Sequence, residues 1–200
     1  MTLAEHHAQM KADGTYDAMI ELRRQQDAER QKRVAELRLA EAPLVEELRA
    51  AGFQVDSAWD LVNTTASYPA AIPVLLAHLH RPYPEKTKEG IARALAVPEA
   101  KDGWDILLAE FENNPDTHPN GYKWAVGVAL GVLARETRRY EEALRLLRDK
   151  RHGENRSALL GAIAFAKDKA VRPLIAEFVD DPVLGEDVRW QLKHPGRRRR

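Results

Sequence analysis

The chain contains no cysteine, which excludes disulfides, thiolate metal sites and cysteine nucleophiles. It contains no apolar run that approaches the roughly 20 residues needed to span a bilayer. It also lacks net charge, because 31 Lys and Arg balance 31 Asp and Glu, so no overall field attracts nucleic acid or a membrane. Residues 1–7 lack the basic-then-apolar order of a signal peptide, and we therefore expect a cytoplasmic protein.

Sequence motifs for catalysis and metal binding are missing as well. There is no His-Glu-x-x-His, Gly-x-Ser-x-Gly or glycine-rich phosphate loop. His78 and His80 are two residues apart, which puts them on different sides of a helix rather than on one ligating face. Residues 116–118 hold an acid and a base, but within a turn rich in Pro and Asn. We therefore predict that the protein is not an enzyme and holds no metal or cofactor.

A short apolar phrase recurs along the chain. Residues 75–79, 107–111 and 174–178 are close copies, and residues 143–147 are a weaker fourth copy. The last apolar residues of the copies lie 32, 36 and 31 positions apart. A regular period of about 20 to 50 residues is typical of a stacked repeat array, in which each unit buries its apolar face against its neighbours.

Each copy predicts a pair of helices joined by a turn. The first helices show apolar residues at i, i+3, i+4 and i+7, the pattern of a half-buried helix: Ile72/Leu75/Leu76/Leu79, Trp104/Leu107/Leu108/Phe111, Tyr140/Ala143/Leu144/Leu147 and Val171/Leu174/Ile175/Phe178. Turn residues follow at 80–82, 112–115, 151–153 and 179–182. Each second helix then opens with a basic residue, in chain order Lys88, Lys123, Arg156 and Arg189, at spacings of 35, 33 and 33.

These pairs resemble the HEAT-repeat family, in particular its short bacterial form. The closest copy has Ala-Val-Arg-Pro-Leu-Ile at 170–175, Asp-Asp-Pro at 180–182 and Val-Arg at 188–189. The resemblance covers about residues 69–194, although the third copy has a Gly-containing turn in place of Asp-Pro. It implies an all-α fold, a right-handed α-solenoid of about four HEAT-like helical hairpins. HEAT arrays are mostly protein-binding scaffolds, with a few nucleic-acid-binding or enzymatic members.

The remaining sequence predicts the flanking parts. Residues 15–41 have helix-forming composition without an apolar stripe, and Pro43 predicts an interruption. Gly52 then ends a second helix, and residues 56–58 open a short third one. The predicted organisation is a charged N-terminal helix (1–42), a helical cap (43–68), the repeat array (69–194) and a basic tail (195–200).

Six residues are candidates for partner binding. The basic column Lys88, Lys123, Arg156 and Arg189 has two interpretations: a positive stripe for phosphates or an acidic partner, or structural pairing with the turn Asp of a neighbouring repeat, as the resemblance implies. Trp124 and Trp190 are candidate aromatic anchors, since Trp is enriched at binding hot spots.

These features favour a non-catalytic scaffold that binds another protein through the concave face of the second helices. A narrower hypothesis is a regulatory or toxin-neutralising partner. The alternative is nucleic-acid binding through the basic column and Arg197–Arg200. The charge of residues 51–150 argues against it, because they hold 12 Lys and Arg but 14 Asp and Glu. Base excision by a HEAT-like glycosylase needs a carboxylate in an aromatic cleft, and Asp105 beside Trp104 is a weak candidate because Trp104 fits the core.

Overall fold

The computed structural model describes residues 2, 10–12, 14–115 and 120–197. Throughout these residues the secondary structure is helical and no strand is present, which confirms the all-α prediction. The chain divides into two compact units, residues 1–40 and residues 41–200. Two features of the sequence, the acid–base segment 116–118 and Arg198–Arg200, lie outside the described residues.

The first unit takes most of helix α1, Thr15–Ala50. No described residue of α1 before Glu41 is buried. Ion pairs between successive turns join Arg24 to Glu21 at 3.8 Å and Arg30 to Asp27 at 3.9 Å. Exposed pairs of this kind contribute little to stability. This part of α1 is thus a polar helix without a buried face, as its composition predicts.

Helix α1 continues without a break through Pro43, so the predicted interruption is wrong. Pro43 is exposed, and the backbone carbonyl that loses its hydrogen-bond donor there can bond to water instead. The neighbouring Leu44 and Leu48 are fully buried and anchor the last turns of the helix. Gly52, with φ +97°, ends it as predicted, because the amide of Phe53 bonds to Leu48 O and that of Gly52 to Arg49 O.

A buried carboxylate fixes the short helix α2, Ala58–Val62. Glu41 is 4% exposed and accepts hydrogen bonds from Ser57 Oγ at 3.0 Å and from the Ala58 amide at 2.7 Å. Burial raises the pKa of Glu41, although both hydrogen bonds oppose the shift. Ser57 also caps α2, with Asp60 completing a capping box. The N-terminus of α2 is thereby held both by Glu41 and by its own capping box.

Four pairs of helices follow in chain order. They are α3 (Ile72–Leu79) with α4 (Glu85–Ala94), α5 (Trp104–Asn113) with α6 (Tyr122–Thr137), α7 (Tyr140–Arg148) with a 3-10 helix (Lys150–Leu159) that leads into α8 (Leu160–Ala164), and a 3-10 helix (Arg172–Phe178) with α9 (Gly185–Lys193). Short 3-10 helices, Pro69–Ala71 and Pro98–Gly103, precede α3 and α5. The two members of each pair contact each other, and α6 contacts both α4 and α8.

The predicted apolar faces of the first three pairs form the core. Leu75, Leu107 and Leu144 are among the buried residues at their centres. The fourth copy differs, because residues 172–178 form a 3-10 helix rather than an α-helix. With three residues per turn, Leu174 does not share the buried side of Ile175 and Phe178, and it stays 44% exposed. The predicted burial of Leu174 is therefore wrong.

The second helices of the second and third pairs approach each other closely at two glycines of α6. A Cβ atom at Gly127 would lie 3.0 Å from Ala158 Cβ, and one at Gly131 would lie 3.1 Å from Ala158 O. These two glycines therefore permit the close approach of α6 to the second helix of the third pair.

Candidate partner-binding surface

Three of the four basic residues of the column bond within the protein to backbone carbonyls at the ends of the first helices. Lys123 is 2% exposed, and its Nζ donates to Asn114 O at 2.6 Å. Arg189 Nη1 donates to Val179 O at 2.6 Å. In both cases the basic residue satisfies a backbone carbonyl near the turn of its own pair, a group that a helix end leaves without an intrahelical donor.

Arg156 makes the most extensive set of these bonds. It is 2% exposed and donates to Leu147 O at 2.9 Å and to Gly153 O at 3.1 Å. Two further bonds of 2.9 Å reach the carboxylate of Asp181 in the turn of the fourth pair. Those bonds lower the pKa of Asp181 to about 2. This contact matches the structural pairing with the turn Asp that the resemblance implies.

Lys88, by contrast, belongs to a polar cluster on Glu110 of α5. Its Nζ lies 3.6 Å from Glu110 Oε2 and 4.4 Å from the centroid of the Tyr122 ring. The Tyr122 hydroxyl donates to Glu110 at 2.5 Å, and His80 Nδ1 lies 2.8 Å away. Burial by itself raises the pKa of Glu110, but these hydrogen bonds and the charge of Lys88 lower it overall. Glu110 thus joins the first pair to the second.

Beside this column, α2, α4 and α6 bring two tryptophans against one arginine. The guanidinium of Arg93 lies 5.8 Å from the ring centroid of Trp59 and 5.1 Å from that of Trp124. Glu89 accepts from Arg93 Nε at 2.8 Å and so holds the guanidinium in place. A Cβ at Gly90 would lie 2.7 Å from Trp59 Nε1, so only glycine leaves room for this indole.

A groove of about 470 Å³ continues this surface between α6, α8 and α9. We call it the tryptophan groove. Its aromatic walls are Trp124, Phe165 and Trp190, and its polar lining comes from Ser157, Asp187 and Gln191. Trp190 stacks on His194 with 4.7 Å between ring centroids. The groove therefore combines half-buried aromatic faces with a few polar groups, which is the composition of many binding sites.

The side-chain amide of Gln191, a residue that lines the groove, is only partly hydrogen-bonded among the described residues. Gln191 is 9% exposed, and its Nε2 donates to Arg197 O at 3.0 Å. Its Oε1 has no hydrogen-bond partner among the described residues. Gln191 thus satisfies one end of its buried amide within the protein.

The structure thus brings together two of the six candidate residues, Trp124 and Trp190. Each directly follows a basic residue of the column, as Glu89 and Ser157 do in the first and third pairs. All four contribute to this surface, Glu89 through Arg93 and the others as groove lining. These four residues share the spacing of the basic column, 35, 33 and 33 positions, so the sequence pattern that predicts the column also identifies them.

No ligand set for a metal is visible in this surface or elsewhere in the described ranges 14–115 and 120–197: no group of three or more His, Asp or Glu residues there could hold a metal ion. None of the helices in the same ranges is long and apolar enough to cross a membrane. Comparisons with known protein families, with curated proteins and with solved structures found no match to this chain.

Proposed function

We propose that this chain is a non-catalytic scaffold that binds another protein through its second helices. The observation that carries the proposal is the tryptophan groove, where Trp124 and Trp190 are half-buried around a cavity of about 470 Å³. Tryptophans that are partly exposed in a preformed depression are the usual anchors of protein interfaces. A regulatory or toxin-neutralising role is a narrower form of the same proposal.

We further propose that residues 69–194 form a HEAT-like α-solenoid. Two contacts support this architecture. The successive second helices α4, α6 and α8 contact one another in chain order. Arg156 reaches forward to Asp181 of the next pair, as the resemblance implies. In such an array the second helices share one continuous surface, so a partner can contact Trp59, Trp124 and Trp190 together.

Nucleic-acid binding is the second candidate, and the burial of Lys123 and Arg156 argues against it. Their charged ends bond to Asn114 and Asp181 inside the protein. Of the four residues of the proposed positive stripe, Lys88 and Arg189 then remain as possible phosphate contacts. Phosphate contacts need accessible cations, because the affinity comes from the counterions that these cations release.

Capture of partners with the tagged chain, with and without nuclease in the lysate, tests the proposal against this alternative. We expect a stoichiometric protein partner that survives nuclease treatment and moderate salt. Loss of all partners upon nuclease treatment, or upon deletion of Arg197–Arg200, would instead support nucleic-acid binding.

A further inference from the structure

A second groove, of about 360 Å³, is lined by both helices of the fourth pair. Its apolar walls come from Pro173 and Ile175 of the 3-10 helix, from Leu192 of α9 and from Pro195 just after α9. Ile175 is buried, whereas Leu192 is 41% exposed, so the apolar surface extends from the core to the outside of the protein. The groove is therefore a preformed depression into which apolar side chains fit.

The charges along this groove are all of one sign among the described residues. Lys169 and Arg172 line it, and no carboxylate does so. Neither cation has an ion pair with another described residue, and Lys169 makes no hydrogen bond with one. We call the groove the cationic groove. An apolar surface beside two uncompensated positive charges attracts a group that is apolar and negatively charged.

The guanidinium of Arg172 is held in place by the protein at one side only. Its Nε donates to Ala166 O at 2.9 Å, and a Cβ atom at Gly196 would lie 3.3 Å from its Nη1. Its other N–H donors have no hydrogen-bond partner among the described residues. The fork of a guanidinium matches the two oxygens of a carboxylate, and a donor that is fixed beforehand loses less conformational entropy upon binding.

We propose that the cationic groove binds a segment of the partner protein in which apolar side chains flank a Glu or Asp. The apolar side chains pack against Ile175 and Leu192, and the carboxylate bonds to Arg172 and pairs with Lys169. Charge-assisted hydrogen bonds of this kind are stronger than neutral ones. The inference rests on the proposed function, to which it adds a second contact outside the tryptophan groove.

An acidic side chain fits these donors better than the C-terminus of a protein does. A terminal carboxylate is usually captured by a nest of backbone N–H groups. The donors in the cationic groove are instead the side chains of Lys169 and Arg172. Gln191 lines both this groove and the tryptophan groove, so a single partner can contact both.

The test uses the full chain labelled with ¹⁵N and three peptide probes. N-acetyl-Leu-Glu-Leu-amide has an internal carboxylate, N-acetyl-Leu-Gln-Leu-amide has none, and N-acetyl-Leu-Gln-Leu with a free C-terminus has a terminal one. We expect the Glu peptide to shift the Arg172 Nε–H and Leu192 amide signals saturably, and the other two peptides to bind about fivefold more weakly. The indole signal of Trp124, in the tryptophan groove, should not change.

Four results would overturn the inference. Equal affinities of the Glu and Gln peptides would show that the carboxylate is not recognised, and absence of saturable shifts would show that the groove is not a docking site. Binding of the free-acid peptide as tight as that of the Glu peptide would assign the groove to a protein C-terminus instead. Shifts of the same two signals when the chain alone is concentrated would show that a second copy occupies it.

Three variants test which cations recognise the carboxylate. Arg172→Gln should abolish the preference for the Glu over the Gln peptide, but it also loses the bond to Ala166 O. Lys169→Gln removes an exposed cation that makes no such bond, and we expect it to reduce the preference by about twofold. Lys167→Gln is the matched control, because Lys167 is paired with Glu136 at 2.6 Å and does not line the groove. A preference that survives in both Arg172→Gln and Lys169→Gln, or that falls equally in all three variants, would overturn the inference.

The two proposals fail in different experiments. If the captured partner requires Trp124 and Trp190 while the groove does not distinguish the Glu from the Gln peptide, the inference fails and the scaffold function stands. If the Glu peptide binds with the expected preference but partner capture does not depend on these tryptophans, the tryptophan groove is wrong as the site of the proposed function.

Discussion

Arg156 and Asp181 form a buried, two-pronged ion pair between the third and fourth helix pairs. Both hydrogen bonds between the guanidinium and the carboxylate are 2.9 Å long, and the side chains are 3% and 8% exposed. The backbone carbonyls of Leu147 and Gly153 accept the other bonds of the guanidinium. A residue that sequence reasoning assigns to partner binding is thus engaged inside the protein.

Removing the charge of Asp181 should destabilise the protein strongly. Asp181→Asn would leave the Arg156 guanidinium buried without its counterion, so we expect the free energy of unfolding to fall by about 3 kcal/mol. Urea denaturation measures this change. The matched control is Glu177→Gln, because Glu177 and Arg148 also join the third and fourth pairs by two 3.0 Å bonds but at the surface.

For this control we expect a loss below about 1 kcal/mol, as for other exposed ion pairs. Equal losses in the two variants would contradict the account of Arg156 and Asp181 as the buried link.

The same carboxylate predicts how stability depends on pH. The pKa of Asp181 is lowered from 3.8 to about 2 in the folded protein, chiefly by the Arg156 hydrogen bonds. A depressed folded pKa stabilises the protein above the unfolded value, and this contribution is lost as the pH falls from about 4 through about 2. We therefore expect the difference in unfolding free energy between wild type and Asp181→Asn to shrink over that interval. A difference that stays constant with pH would show that Asp181 does not titrate with a depressed pKa.

Gly90 should be required for the position of Trp59. In Gly90→Ala the new Cβ would meet Trp59 Nε1 at 2.7 Å, so the indole must move and lose its hydrogen bond to Lys86 O. We expect the free energy of unfolding to fall by about 1 to 2 kcal/mol and the NMR signal of the Trp59 indole N–H to shift. Gly161→Ala is the control, since its Cβ would make an ordinary contact of 3.4 Å with Phe165. An unmoved Trp59 signal in Gly90→Ala would refute this packing.

The sequence predicts the buried helix faces well, because helical periodicity directly records which side of a helix meets the core. Leu75, Leu107 and Leu144 are buried as their spacing requires. The periodicity fails at Leu174, where a 3-10 helix changes the angle between successive residues. The interruption predicted at Pro43 is wrong for a different reason, because the exposed side of a helix tolerates proline.

The surface is less predictable, because it depends on contacts between residues far apart in the chain. The register of the basic column is visible in the sequence, but the burial of Lys123 depends on where the carbonyl of Asn114 lies after folding. Trp59 meets Arg93 only because Gly90 leaves room for it. The amide of Gln191 is likewise positioned by a contact with Arg197 O, and its Oε1 has no hydrogen-bond partner among the described residues.

The central claim is that a partner protein docks on the tryptophan groove, and the most direct test is calorimetric titration of the captured partner. We compare wild type, the Trp124→Ala/Trp190→Ala double variant and Leu174→Ala, which removes an exposed apolar side chain outside the groove. Since loss of a hot-spot tryptophan costs about 2 kcal/mol or more, the account predicts that the Kd of the double variant rises by at least about a hundredfold. Leu174→Ala should bind as wild type does. A double variant that is folded and binds with the wild-type Kd would contradict the account.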